Sequence, residues 1–189
     1  MAKRLSKSER REQLLAVAEN IVRTQGTDAL TLITLAEQAG VSKPITYEHF
    51  ISREGLFEDL YKRYDRQLIA SIELAKESGF NSLETAARII SDAYLECALS
   101  CGREYDALVA ALMAYPEHAE LKHQIRNYFV EEYIRLFRPL AKRQTEDIRP
   151  MLIAYFGATE EMSRAVLMKQ VDRKTAVTVL ATILIAGLG

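Results

Sequence analysis

Residues 31–57 read TLITLAEQAGVSKPITYEHFISREGLF. Thr31 can cap a helix whose apolar residues Leu32, Leu35, Ala36 and Ala39 fall at i, i+3, i+4 and i+7, the spacing of one helical face. Gly40 ends that helix. Ser42 can then offer its hydroxyl to an unpaired first-turn N–H of a short third helix containing Lys43 to His49, and Pro44 lies where a missing N–H does no harm. Two short helices joined by a glycine turn are therefore expected. Ser52 can cap the next helix, in which Leu56, Leu60, Tyr64, Leu68 and Ile72 recur every four residues towards Gly79. Some 26 residues, Ser52 to Ser78, at about 1.5 Å each make a rod of about 39 Å, long enough to join two cores.

The same punctuation continues on both sides. Upstream, Ser6 with Glu9 has the pattern of a capping box, and Leu14, Leu15, Ala18, Ile21 and Val22 repeat at helical spacing until Gly26. Downstream, Asn81 with Glu84 opens a run that Gly102 closes, and Glu104 to Tyr115 form a shorter segment. Pro116 suits the first position of a longer helix towards Phe137, and Pro139 and Pro150 bracket a polar break. Helices over Arg149–Gln170 and Asp172–Leu188 complete the chain. No segment alternates with period two for long enough to make a sheet, and there is no internal repeat or low-complexity stretch. The fold class predicted is all-α, with about nine helices.

Composition narrows the function classes. The chain has 189 residues, 49% hydrophobic and 27% charged, which suits one sizeable core or two small ones and excludes intrinsic disorder. Two cysteines are too few for a disulfide framework. With 25 basic and 26 acidic side chains the net charge is −1, so no whole-molecule field points to a nucleic acid or a membrane. The N-terminus MAKRLSKSERREQ is basic without an apolar core for export. The longest uncharged run, Thr175–Gly189, is fifteen residues against the roughly 20 needed to span a bilayer, and reads as a buried helix. A cytoplasmic location and no membrane partner are expected. Cys97 and Cys101 share a helix face, either as two small buried hydrophobes or as a regulatory thiol pair.

Enzymatic chemistry finds no support. There is no Cys/His metal spacing, no Gly-rich phosphate loop and no Gly-x-Ser-x-Gly. His118 and His123 lie five apart, on different helix faces, and the pairs Glu131-Glu132 and Glu160-Glu161 point in different directions. No catalytic residue, metal ligand or cofactor is expected.

At residues 31–57 the chain resembles the helix-turn-helix of the TetR family of bacterial transcriptional regulators. The likeness is carried by Thr31-x3-Leu35-Ala36-x2-Ala39-Gly40-Val41-Ser42, by Tyr47-x-His49-Phe50 and by Arg53-Glu54-x-Leu56, and it extends over roughly residues 10 to 60. The resemblance implies a three-helix DNA-binding domain, residues 1–52, followed by a larger helical effector-binding and dimerisation domain, residues 53–189. It makes Lys43 the best candidate for a base contact, plausibly to guanine O6/N7, with Ser42, Pro44 and Thr34 beside it. Thr31, Tyr47, His49 and Arg53 would clamp phosphates and fix register; packing in a small core is the other reading of Tyr47 and His49.

Two positions depart from the family pattern. Ile33 stands where a polar or basic residue is common, and Ile45 followed by Thr46 reverses a common order. Either isoleucine can pack on a thymine methyl and favour A·T pairs. Alternatively Ile45 serves the core and Thr46 bonds its hydroxyl to the Ser42 carbonyl. Residues 1–66 carry 11 basic and 10 acidic side chains, a net +1, and five of the basic ones lie in residues 1–11. That segment is either a basic arm reaching an adjacent groove or a solvated tail.

The last helix is apolar nearly all round and has to be covered. The helix before it carries the small residues Ala154, Gly157, Ala158, Ser163 and Ala165. By resemblance these two helices pair with those of a second subunit, and the resulting homodimer meets a near-palindromic double-stranded operator. An apolar pocket with a few hydroxyls would take a small, mostly apolar effector. The residues expected to line it are Tyr64, Tyr94, Cys97, Tyr105, Met113, Tyr128, Tyr133 and Tyr155, and plain core is the competing reading of that stripe.

Overall fold

Ser6 and Glu9 open the first helix as a reciprocal pair. Glu9 N–H donates to Ser6 Oγ at 3.2 Å and Ser6 N–H to the Glu9 carboxylate at 2.7 Å. The computed structural model describes residues 5–77, 79–141 and 148–189. These form nine α-helices and two single 3-10 turns, with no strand among the described residues. In order they are α1 (Lys7–Gln25), a 3-10 turn (Thr27–Ala29), α2 (Leu32–Ala39), α3 (Lys43–Phe50), α4 (Arg53–Glu77), α5 (Leu83–Cys101), α6 (Glu104–Leu112), a 3-10 turn (Pro116–His118), α7 (Leu121–Phe137), α8 (Arg149–Leu167) and α9 (Arg173–Leu188). The all-α architecture is the one the spacing predicts. The Ser78 end of the long helix and most of the Pro139–Pro150 break lie outside the described residues.

Two compact units are formed. The first comprises Met1–Asp65 with Arg103–Ala119, and the second Arg66–Gly102 with Glu120–Gly189. In the first, α1 buries Leu14, Leu15, Ala18, Ile21 and Val22, and α4 adds Leu56, Phe57, Leu60 and Tyr64. Arg11 ties α1 to α4 through Asp59 and to the end of α3 through the His49 carbonyl, with its guanidinium 5.0 Å from the centre of the Phe50 ring. Arg63 of α4 reaches back to Glu12 at 2.6 Å and Glu19 at 3.5 Å.

In the second unit α9 packs against α5 and α8, and α7 against α8. Arg173 at the start of α9 is held by Asp92, at 2.7 Å, and by Glu96 of α5. An aromatic cluster fills the interior: Phe129 and Phe156 stack at 5.7 Å, and Tyr133 meets Tyr155 edge-on at 5.4 Å. The Tyr155 hydroxyl is paired with Ser91 Oγ at 2.9 Å, whereas the Tyr133 hydroxyl is fully buried with no partner. Burial pushes the ionisation of both phenols upward, so both stay neutral.

Several helix ends differ from the expected ones. Ser42 makes no side-chain cap, because Pro44 has no N–H to give and Ile45 N–H bonds the Ser42 carbonyl at 3.0 Å. Ser82, not Asn81, caps α5, accepting from Thr85 N–H at 3.1 Å. Pro116 opens a single 3-10 turn and α7 begins only at Leu121. α6 ends at Leu112, short of Tyr115, and α8 stops at Leu167 because Lys169 turns to φ 60°, where a right-handed helix cannot continue.

The link from α3 to α4 is tight. Ser52 N–H bonds the Phe50 carbonyl at 2.6 Å across Ile51, whose φ 66° and ψ −53° make a γ-turn of the rare, strained hand. A Cβ at Gly55 would strike the Phe50 carbonyl oxygen, so only glycine fits beside this turn. Ile51 itself is 83% exposed and gains nothing from packing. Ile51→Gly should therefore stabilise the chain by about 0.5–1 kcal/mol, the left-handed penalty of a branched residue less the chain entropy of glycine. Urea unfolding of the two proteins, read as a midpoint shift at constant slope, checks this.

Candidate nucleic-acid interface

Thr31 and Thr34 set the start of α2. Thr34 N–H donates to Thr31 Oγ1 at 3.0 Å, Thr31 N–H to Thr34 Oγ1 at 2.9 Å, and the Thr34 hydroxyl is also bonded to the Ala29 carbonyl at 2.7 Å. Gly40 closes the helix in the left-handed region, φ 64°, and Val41 N–H returns to the Ala36 carbonyl at 3.0 Å. This turn delivers α3 across α2.

Thr46 fixes the orientation of α3. It is fully buried, and its hydroxyl is bonded to the carbonyls of Leu32, at 2.9 Å, and Lys43, at 2.8 Å, rather than to that of Ser42, which one of the two sequence alternatives offered. With Thr46, His49 and Phe50 inward, Ser42, Lys43, Pro44, Tyr47 and Glu48 face outward, and Tyr47 is 48% exposed. On α2, Ile33 is 41% exposed, beside Glu37 and Gln38. Ile45 is half-buried. Lys43, the predicted base contact, Pro44 beside it and Tyr47, a predicted phosphate clamp, are thus all on the exposed side of α3, and Ile33 projects from the preceding helix.

Two predicted phosphate clamps also make contacts within the chain. The partly exposed Arg53 donates through Nε to the Leu30 carbonyl and through Nη2 to the Thr27 carbonyl, both at 2.8 Å, with the guanidinium 4.7 Å from the Phe57 ring centre. It pins the loop before α2 to the start of α4. His49 is only 8% exposed, and its Nδ1 is buried with no partner. Burial, then the Arg11 charge, hold its imidazole below the ordinary value of 6.5, so it is neutral where a clamp would want charge. Thr31 and Thr34 are half-buried and occupied with the cap. Of the basic N-terminal residues, Lys7, Arg10 and Arg11 belong to α1, and residues 1–4 lie outside the described ones.

Glu48 escaped the sequence reading. It shares the outward side of α3 with Lys43 and lies 3.6 Å from Lys7. Its signal was available, since it is one residue from Tyr47 on a helix whose inward face Thr46, His49 and Phe50 occupy. The face therefore carries acids, Glu37 and Glu48, as well as Lys43.

The residues expected to line an effector pocket fall in both units. Tyr64, Tyr105 and Met113 belong to the first, where Tyr64 and Tyr105 meet edge-on at 6.2 Å. Tyr94, Cys97, Tyr128, Tyr133 and Tyr155 belong to the second, where all but Tyr128 are buried. A cleft of about 400 Å³ in the second unit is lined by Arg88, Asp92, Arg173, Lys174, Val177 and Thr178, none of the predicted eight. No group of three or more metal-ligating side chains occurs among the described residues, and none of the helices is long and apolar enough to cross a membrane.

A helix, a left-handed glycine turn and a second helix that turns a lysine and a tyrosine outward define a helix-turn-helix protein of the DNA-binding class. Residues 14–60 match the family model described as bacterial regulatory proteins, tetR family. The match covers most of α1, all of α2 and α3 and the start of α4, so this part of the chain is similar to that family. It is 26% identical over 170 residues to the nucleoid occlusion factor SlmA of Vibrio atlanticus, covering 88% of this chain and 82% of that protein. It is 36% identical over 72 residues to the HTH-type transcriptional activator FasR of Mycolicibacterium smegmatis, 38% of this chain and 33% of that one. A TetR-like transcriptional regulator from Rhodococcus sp. RHA1 shares the fold with a TM-score of 0.78 at 20% identity, over 98% of each chain.

The burial of His49 has a pH consequence. As pH falls, the unfolded imidazole takes up its proton near 6.5 while the folded one resists. The stability associated with a neutral His49 is complete above about pH 7 and is lost on acidification through and below 6.5. Urea unfolding between pH 8 and pH 5 should fall more steeply for the wild type than for His49→Gln, and equal slopes would contradict the placement.

Proposed function

We propose that the chain is a ligand-responsive repressor in the cytoplasm that binds a near-palindromic operator as a homodimer and is released by a small, mostly apolar effector. Residues 1–52 are the DNA-binding domain and residues 53–189 the effector and dimerisation domain in this reading. The observation that carries it is the outward face of α3: Lys43, Pro44 and Tyr47 project from a helix whose opposite side is locked by Thr46. Lys43 reads a base edge, Ser42 and Tyr47 hold phosphate, and Ile33 or Ile45 meets a thymine methyl. Thr31, Thr34, His49 and Arg53 then act by positioning α2 and α3.

Dimerisation is assigned to α8 and α9. Ile153, Ala154 and Gly157 of α8 and Val179 and Ala186 of α9 are exposed, and a Cβ at Gly157 would meet nothing within 4 Å. Small and apolar residues on one open face suit close approach of a second copy. For the effector, the part of the predicted set that the packing favours is Tyr94, Tyr133 and Tyr155, where the unpartnered Tyr133 hydroxyl offers a polar anchor in an aromatic surround. The effector would lower DNA affinity by its differential binding to two states of the protein.

A second reading, a helical ligand-binding or interaction protein that no longer reads sequence, is favoured by exposed acids, Glu37 on α2 and Glu48 on α3, on the same two helices as the exposed Ile33 and Lys43. Selection of the purified chain against random duplexes at moderate salt separates the two. The regulator reading expects a two-fold symmetric site, with Lys43→Ala losing about 1–3 kcal/mol of discrimination at one base pair. Binding that is unselective, and unchanged in Lys43→Ala/Tyr47→Ala, would leave the second reading in place.

Gly157→Arg places a long charged side chain on the open face of α8. Sedimentation should then shift from twice 21.4 kDa to 21.4 kDa with helicity retained. A dimer that survives this change would move the interface elsewhere.

A further inference from the structure

Cys97 and Cys101 lie on the last turns of α5, in the second unit. Their sulfurs are 4.0 Å apart, and both side chains are buried. Cys101 Sγ lies 3.9 Å from the side-chain amide of Gln67 on α4. The contact with Cys101, helped by the hydroxyls of Ser71 and Ser100, outweighs burial and lowers the Cys97 thiol to about 7.

What this pair can bind follows from its geometry. A disulfide needs sulfurs at about 2.05 Å and Cβ atoms about 3.8 Å apart. Residues four apart on a helix carry Cβ atoms about 5–6 Å apart, so closing that bond would distort the end of α5. A single ion bonded to both sulfurs needs no such movement. Two metal–sulfur bonds of about 2.3 Å meet across 4.0 Å at about 120°. Thiolates select soft ions such as Cu(I) and zinc, but a zinc site asks for four ligands, and no cluster of three ligating side chains is present among the described residues. Cu(I), a soft closed-shell ion, is satisfied by two sulfurs.

We propose that Cys97 and Cys101 form a two-thiolate site for Cu(I) at the end of α5. On binding, each thiol gives up its proton to solvent and each sulfur donates a lone pair to the ion, with no change of oxidation state. The bis-thiolate carries one negative charge. The hydroxyls of Ser71 and Ser100 and the amide of Gln67, which can present its NH2 group, are placed to donate to it. This proposal does not rest on the effector reading above.

The test is an anaerobic titration of the reduced full chain with Cu(I) against bathocuproine disulfonate as the competing chelator. One Cu(I) per chain should be withdrawn from the chelator, and X-ray absorption should show a sulfur-only first shell. Cys97→Ser and Cys101→Ser should each weaken retention by more than about a hundredfold, beyond what an outer-shell partner contributes. Cys97→Ala and Cys101→Ala, with circular dichroism, replace any serine variant that does not fold, and the wild-type absorption spectrum is decisive without variants. A wild type that withdraws no copper, a nitrogen or oxygen first shell, or retention undiminished in the double variant would overturn the proposal. So would clean conversion of the folded chain to a Cys97–Cys101 disulfide by one equivalent of hydrogen peroxide, because the pair would then close without an ion.

Discussion

The hydrogen bond from Thr46 to the Leu32 carbonyl is the joint on which the outward side of α3 depends. It crosses from α3 to α2 inside a small core, where an unmade bond would leave a buried carbonyl or hydroxyl unsatisfied at a cost of about 1–3 kcal/mol. Because Thr46 must point inward, Lys43 and Tyr47 must point outward, since a helix turns about 100° per residue. The Gly40 turn and the Thr31–Thr34 cap bring the two helices to the position where this bond can form. Arg53 then fixes the whole to α4 by donating to two carbonyls of the preceding loop. Arg53, which sequence alone would offer to phosphate, thus also holds the start of α4 to the loop before α2.

The same economy explains why net charge conceals a nucleic-acid role. Arg11, Arg53 and Arg63 are engaged with carbonyls and carboxylates inside the first unit, and Lys7 is near Glu48. Lys43 is exposed on α3, and Glu37 on α2 and Glu48 on α3 are exposed as well. In the function proposed above, attraction to DNA would rely on a locally placed cation and on the exposed start of a helix, not on a broad field. Sequence-independent affinity should accordingly be modest and the fit to a particular site more important.

The second unit is organised around a different problem, the disposal of tyrosine hydroxyls and thiols within an apolar interior. Tyr155 is satisfied by Ser91, Tyr133 is left without a partner, and the cysteines are set beside hydroxyls and an amide. Each polar atom buried without a full complement of bonds costs stability that a leucine would not. Such atoms mark where this unit departs from a purely structural core. α9 buries Ala176, Leu180, Ala181, Leu184 and Leu188 on one side and turns Thr178, Val179 and Thr182 to the other, so its low charge reflects two faces with different tasks.

Local chemistry made most of the helices legible. Capping pairs, glycines in left-handed turns and the four-residue recurrence of Leu56, Leu60, Tyr64, Leu68 and Ile72 act over one or two turns, and those five residues are all buried. The helix-turn-helix, and with it the likeness to the family over residues 14–60, was legible for the same reason: its pattern is contained in some thirty consecutive residues. Helix ends shaped by competing donors were less so, as at Ser42, where a proline and a backbone bond displace the side-chain cap. The roles of Arg53 and His49 were not legible, because their partners lie 23 to 26 residues away for the arginine, and for the histidine in the packing around it. Nor could spacing tell that Tyr64 and Tyr105 share one unit while Tyr94, Tyr133 and Tyr155 share the other. The sequence by itself determined the helices and the recognition motif, which depend on short-range bonds. Only the tertiary structure decided which polar side chains face solvent and which are consumed in the interior, because that depends on what the chain brings back from far along its length.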